Sequence, residues 1–186
     1  MKRILEGIEN FQDILCLSEL VDLVLLKSGR KKAALVEISY RKEKGIAEKD
    51  FRERIRKFEE YLKANKLIIN PRINYPIKDS DLTVFSEVAK TRRTLKKIER
   101  AERSGDATIR KREVGELMGY PKSAVSAFVS GHSIEKEGIP LTKIERKLLN
   151  FRLSKKWQRE LGWHRRNIEI LKKRAPALYE LIARES

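Results

Sequence analysis

The sequence predicts an α+β, mostly helical protein: a small N-terminal sheet with flanking helices, then a helical C-terminal half containing a helix-turn-helix-like hairpin. Three observations carry this. Residues 33–40 and 66–77 read as extended segments in an otherwise helical first half. Residues 111–131, KREVGELMGYPKSAVSAFVSG, read as helix, tight turn, helix. From Thr142 onward, apolar residues recur at helical spacing.

The 186 residues suffice for one good core or two small domains. Charged residues reach 38%, a surface suited to the ion-pair networks of heat-stable proteins, and a thermophilic source fits it. The formal net charge of +16 is uneven: residues 1–90 carry +4 and residues 91–186 carry +12. Such an excess favours polyanions, nucleic acid ahead of an anionic membrane. A solvated thermophile surface is the plainer alternative.

The single cysteine, Cys16, excludes a disulfide framework and a cysteine metal cluster. It sits in an apolar run and reads as a small buried hydrophobe. His132 and His164 lie far apart, so no metal site is expected, and with no Walker loop or dinucleotide fingerprint no cofactor is expected either. No apolar run reaches the ~18 residues of a membrane span. MKRILEGIENF carries acids inside its apolar pattern, unlike a signal peptide. A cytoplasmic location without a membrane partner is the expectation.

In chain order, Ile4, Ile8, Phe11 and Leu15 predict an amphipathic first helix. A second helix starts near Ser18 as N-cap and runs through Leu20, Val21, Val24 and Leu25 to Ser28-Gly29. AALVEISY (33–40) predicts a strand with Val36, Ile38 and Tyr40 on one face and Glu37 and Ser39 on the other. Arg41 to Gly45 is a polar connection. Lys49 to Leu62 predicts a helix with Phe51, Ile55, Phe58 and Leu62 on one face. Pro71 and Pro76 make 66–77 extended and irregular, suited to a sheet edge. Residues 78–81 form a turn, and Leu82 to Phe85 a third strand leading into a helix near Glu87. Thr91 to Arg103 predicts an exposed helix anchored by Leu95 and Ile98; its cations are Arg92, Arg93, Lys96, Lys97, Arg100 and Arg103, and the first four are expected to contact nucleic acid. Ser104-Gly105-Asp106 is the expected boundary between regions 1–105 and 106–186.

Within 111–131, Val114, Met118, Val125 and Phe128 stand where two short helices would press together. Gly119-Tyr120-Pro121 supplies the bend and Gly131 the stop. This is the outline of a helix-turn-helix, whose second helix enters a DNA major groove. The stretch resembles the helix-turn-helix of lambda-repressor-like regulators over these residues only. That resemblance implies that Lys122, Ser123, Ser126 and Ala127 face the groove, with Lys111, Arg112 and Lys122 touching phosphates. Lys and Ser without Arg, Asn or Gln make a poor base-reading face. Gly115 costs a helix interior about 1 kcal/mol relative to Ala. A hairpin that merely packs the core is the alternative.

A second similarity involves GELMGYPKSAVSAF (115–128) and ILKKRAPALYELI (170–182). Together they resemble an uncharacterised archaeal family, domain-of-unknown-function family 483, in which Gly-Tyr-Pro is followed by a Cys-Cys pair. Here Ser123 and Ala124 occupy that pair and no later cysteine follows, so a cysteine-based metal or redox role does not transfer. The resemblance implies no known activity.

From Thr142, Ile144, Leu148 and Phe151 begin a seam that Trp157, Leu161, His164, Ile168 and Leu171 continue at ~100° per residue. Arg152, Lys155, Arg159, Arg166 and Lys173 fall on the opposite side of that wheel. Pro176 opens a short final helix with Leu178, Leu181 and Ile182 apolar. Cations opposite an apolar seam suit the tracking of phosphates. Trp163, off the seam, is either packed or a stacking platform.

The expectation is a non-catalytic nucleic-acid-binding protein, with DNA or RNA as partner and a homodimer left open. Affinity would come from the basic half and coarse selectivity from residues 122–130. One rival is a structural or protein-interaction module. Another is a metal-dependent nuclease using Asp22 and Glu37, although Ser39 stands where such sites place a lysine.

Overall fold

A computed structural model describes residues 4–39, 48–77 and 81–185. Its sheet joins β1 (Ala33–Ser39), β2 (Ile68–Ile77) and β3 (Asp81–Ala89), all antiparallel in the order β1-β3-β2. Alternation along β1 buries Ala34, Val36 and Ile38 and leaves Leu35 and Glu37 exposed, as the sequence pattern requires. Tyr40 and the 41–45 connection lie outside the described residues, as does most of the 78–81 turn. β2 is an edge strand with a register shift between Arg72 and Asn74, a place where prolines are tolerated. β3 runs on through Glu87 to Ala89 where the sequence suggests a helix. As the central strand it is paired on both sides, and Ser86, Glu87, Val88 and Ala89 are all buried.

The inner face of the sheet packs against α1 (Leu17–Ser28) and α2 (Glu48–Ala64), the latter through Phe51, Phe58 and Leu62. The expected first amphipathic helix is instead a 3₁₀ turn, Ile8–Phe11, preceded by left-handed backbone at Leu5 and Gly7. Ile8, Phe11 and Leu15 still reach the core, so the apolar spacing is met by turns rather than an α-helix. The N-cap of α1 is Cys16, not Ser18. Cys16 is exposed rather than buried, because capping places it outside the helix. Its amide donates to Glu19 (2.7 Å), and the other Glu19 oxygen accepts from the Glu37 amide (2.6 Å), tying α1 to β1.

Every residue of α1 from Leu20 to Leu26 is buried. A helix enclosed all round needs a second layer, and the C-terminal half supplies it. α4 (Ala107–Leu117), α5 (Lys122–Val129), α6 (Lys143–Leu148), α7 (Trp157–Arg174) and α8 (Pro176–Arg184) follow α3 (Arg92–Glu102). Leu148, Leu171, Leu178 and Ile182 join the same core as α1, so the core runs across the Ser104-Gly105 break. α3 covers part of the outer sheet face, setting Leu95 and Ile98 against Ala33, Ala89 and Met118.

The continuous helical pattern expected from Thr142 is interrupted. Leu149 turns extended (ψ 97°) and residues 149–156 form a loop whose Leu153 bridges to Ile134. Leu149, Phe151 and Leu153 are buried while Asn150 and Arg152 are exposed. That period of two lies close enough to the helical seam to imitate it. Arg152 and Lys155 therefore belong to a loop and not to the α7 stripe.

Candidate functional site

The helical hairpin α4–α5 is set by two glycines. A Cβ on Gly115 would lie 3.0 Å from the Val125 side chain, so the residue that weakens α4 also permits the close approach of α5. Gly119 has φ +74°, and a Cβ there would lie 2.9 Å from the Arg30 carbonyl oxygen, so the bend sits directly on the α1–β1 connection. Met118 and Val125 are buried as expected. Phe128, expected between the helices, is 47% exposed and has the Lys111 ammonium 5.6 Å from its ring centre. The eight-residue α5 buries Ala124, Val125 and Ala127, which places Phe128 on the outer side.

α5 packs against α7 through a buried carboxylate. Glu160, in the first turn of α7, accepts hydrogen bonds from the Ser123 hydroxyl, the Ser154 hydroxyl and the Ser154 amide (2.8 Å). Ser123 is thereby committed to the framework and is only half-exposed. Lys122 and Ser126 stay exposed and line a groove of about 770 Å³ with Lys155, Lys156, Arg159, Trp163 and Arg166. Arg159 and Arg166, seven residues apart, lie on one face of α7. None of these five cations forms an ion pair with a carboxylate among the described residues. Trp163 is half-buried: it packs edge-on against Phe151 (5.6 Å between ring centres), and the Arg30 guanidinium sits 5.9 Å from its ring centre.

Behind the groove lies a polar layer. Asp22 and Lys31 form a buried ion pair, Asn150 donates to Asp22 (3.2 Å), and the Lys31 ammonium lies 4.7 Å from the Tyr120 ring centre. Burial pushes the Asp22 carboxyl up and the Lys31 ammonium down, each against the attraction of the other. Burial also holds the His164 imidazole below its ordinary value; its Nε2 lies 3.0 Å from the Glu145 carbonyl oxygen. Arg30 donates to Asn167 (2.9 Å), and Arg165 pairs with Glu145.

The remaining expected site residues are dispersed. Arg92, Arg93, Lys96 and Lys97 cluster with Arg100 on α3. Lys111 and Arg112 are exposed on α4, and Lys173 is exposed near the end of α7. Arg152 lies on the far side of α5 from the groove and pairs with Glu135 (2.9 Å). Asp22, committed to Lys31, is buried, and Glu37 is exposed on β1. No group of three or more His, Cys, Asp or Glu among the described residues is placed to hold a metal. No described helix is long and apolar enough to cross a membrane. Sequence reasoning missed Lys156, Ser154 and Glu160; the one available signal was an acid opening an otherwise basic helix. Comparisons with protein-family models, curated proteins and solved structures give no match.

Proposed function

We propose that this protein binds nucleic acid through the groove between α5 and α7, following the phosphate backbone instead of inserting α5 as a base-reading helix. One observation carries the reading: Lys122, Lys155, Lys156, Arg159 and Arg166 converge from α5, the preceding loop and α7 without carboxylate partners among the described residues. Convergent like charges repel one another, and a polyanion relieves that repulsion. The concave placement of Lys122 and Ser126 favours backbone contact over major-groove insertion. Trp163 at the groove wall offers an edge against which a base or sugar can pack.

The test is fluorescence anisotropy with labelled duplex DNA, single-stranded DNA and RNA across a salt series. Four or five phosphate contacts on duplex DNA give a slope of log affinity against log salt of about −4. Absence of binding at low salt would overturn the reading and favour a protein-interaction module.

A further inference from the structure

On the opposite side of α5 lies a second concavity of about 610 Å³, formed by α4, α5 and residues 150–152. Its wall is mainly apolar: Val114, Gly115, Ala124 and Val125 line it together with the rings of Tyr120, Phe128 and Phe151. Tyr120 and Phe151 stand 5.7 Å apart, ring centre to ring centre, as a prebuilt aromatic corner. Arg110 and Lys111 stand at its rim without carboxylate partners among the described residues, and Glu102, at the end of α3 and engaged in a contact of its own, also lines the cleft. Arg152 adds a third cation that already holds Glu135.

We infer that this cleft is a binding site for a small aromatic anion, its ring system lodged among Tyr120, Phe128 and Phe151 and its acidic group met by Lys111 and Arg110. The size falls within the ~300–1,000 Å³ of ordinary small-molecule sites, which are apolar with a few placed polar groups. Phe128 is the decisive residue. A large aromatic ring left 47% exposed beside an unpaired ammonium is poorly placed for stability and well placed for a ligand that is both flat and acidic. The recess between two helices suits a small body better than a second protein surface. Two copies carrying +16 each also repel.

Two dyes with one ring framework make the test: 8-anilinonaphthalene-1-sulfonate, and N-phenyl-1-naphthylamine, which lacks the sulfonate. Titration of the full chain should show one site per chain, with the sulfonate dye about five-fold tighter, as one exposed charge contact provides. Phe128→Ala should weaken both dyes. Arg110→Gln with Lys111→Gln should equalise them. All three positions are exposed, and unchanged circular dichroism would show the variants folded. Equal affinities in the parent chain would overturn the inference. So would dye binding that survives Phe128→Ala but is lost in Arg159→Gln/Arg166→Gln, which would assign the dye to the cationic groove. Displacement of the dye by a single-stranded oligonucleotide, abolished by Lys111→Gln, would assign the cleft to a nucleic-acid strand. Loss of the site with rising protein concentration would assign it to a second copy.

Discussion

The cations of α3 and those of the α5–α7 groove are alike in number and chemistry but rest on different foundations. α3 is a plain amphipathic helix: Leu95, Ile98 and Ala101 are buried, and Arg92, Arg93, Lys96, Lys97 and Arg100 share the other side, bordering a shallow concavity of about 550 Å³ on that one helix. The groove is assembled from α5, α7 and a loop, pinned by the buried Glu160 and backed by the buried Asp22, Lys31, His164 and Asn167. Buried polar groups are costly unless satisfied, and satisfied ones fix geometry: Glu160 is satisfied and Asp22 and Lys31 pair with each other, while the Asn167 side-chain nitrogen has no hydrogen-bond partner among the described residues. Charge on one helix face is general to a solvated surface; the proposed site rests instead on charge that a polar framework brings together from three elements.

That contrast can be broken by substitution. The largest effect belongs to Asp22→Ala, which strands the buried Lys31 ammonium and should cost about 3–5 kcal/mol in urea unfolding. Replacing both partners, Asp22→Leu with Lys31→Met, should recover most of that loss. Equal costs for single and double variants would mean the pair is no linked unit. Next, Glu160→Ala leaves the Ser123 and Ser154 donors without their acceptor and should cost about 3 kcal/mol. Arg100→Ala on α3 should stay within about 0.5 kcal/mol; similar values for these two would erase the distinction. Gly119→Ala combines left-handed backbone with an approach to the Arg30 carbonyl, and a loss of about 2 kcal/mol in the same assay is expected.

The smallest effect is pH-dependent. The His164 imidazole is depressed by burial, so its contribution to stability is fully present above its unfolded value of 6.5 and is lost as pH falls through the lower folded value. Thermal melts from pH 7 downward should therefore show a decline that His164→Gln reduces. An unchanged profile would remove His164 from the acid response.

Much of the architecture was legible from periodicity. The α2 face of Phe51, Phe58 and Leu62, the Val36/Ile38 face of β1, the α3 stripe and the Pro176 start of α8 all follow spacing that one burial layer imposes. The failures have physical causes. Leu149, Phe151 and Leu153 satisfy a strand-like and a helical period together, and only their packing among Ala124, Ile139 and Leu161 selects the former. Ile4 to Leu15 carry helical spacing, but Leu5 and Gly7 take up left-handed backbone. Of the groove, Lys122, Ser126, Lys155, Arg159 and Arg166 were visible as cations or small polar residues on exposed positions. Their convergence was not, because it depends on Glu160 meeting Ser123 across 37 residues of chain.

The central claim, that the groove and not the α3 stripe engages phosphates, rests on one comparison of salt slopes. Two triple variants remove equal charge: Lys155→Ala/Arg159→Ala/Arg166→Ala in the groove, and Arg92→Ala/Lys96→Ala/Lys97→Ala on α3. On duplex DNA the groove variant should flatten the slope of log affinity against log salt by about 2.7, at about 0.9 per lost contact, and the α3 variant should leave it nearly unchanged. Equal flattening by both, or a larger change from α3, would contradict the account.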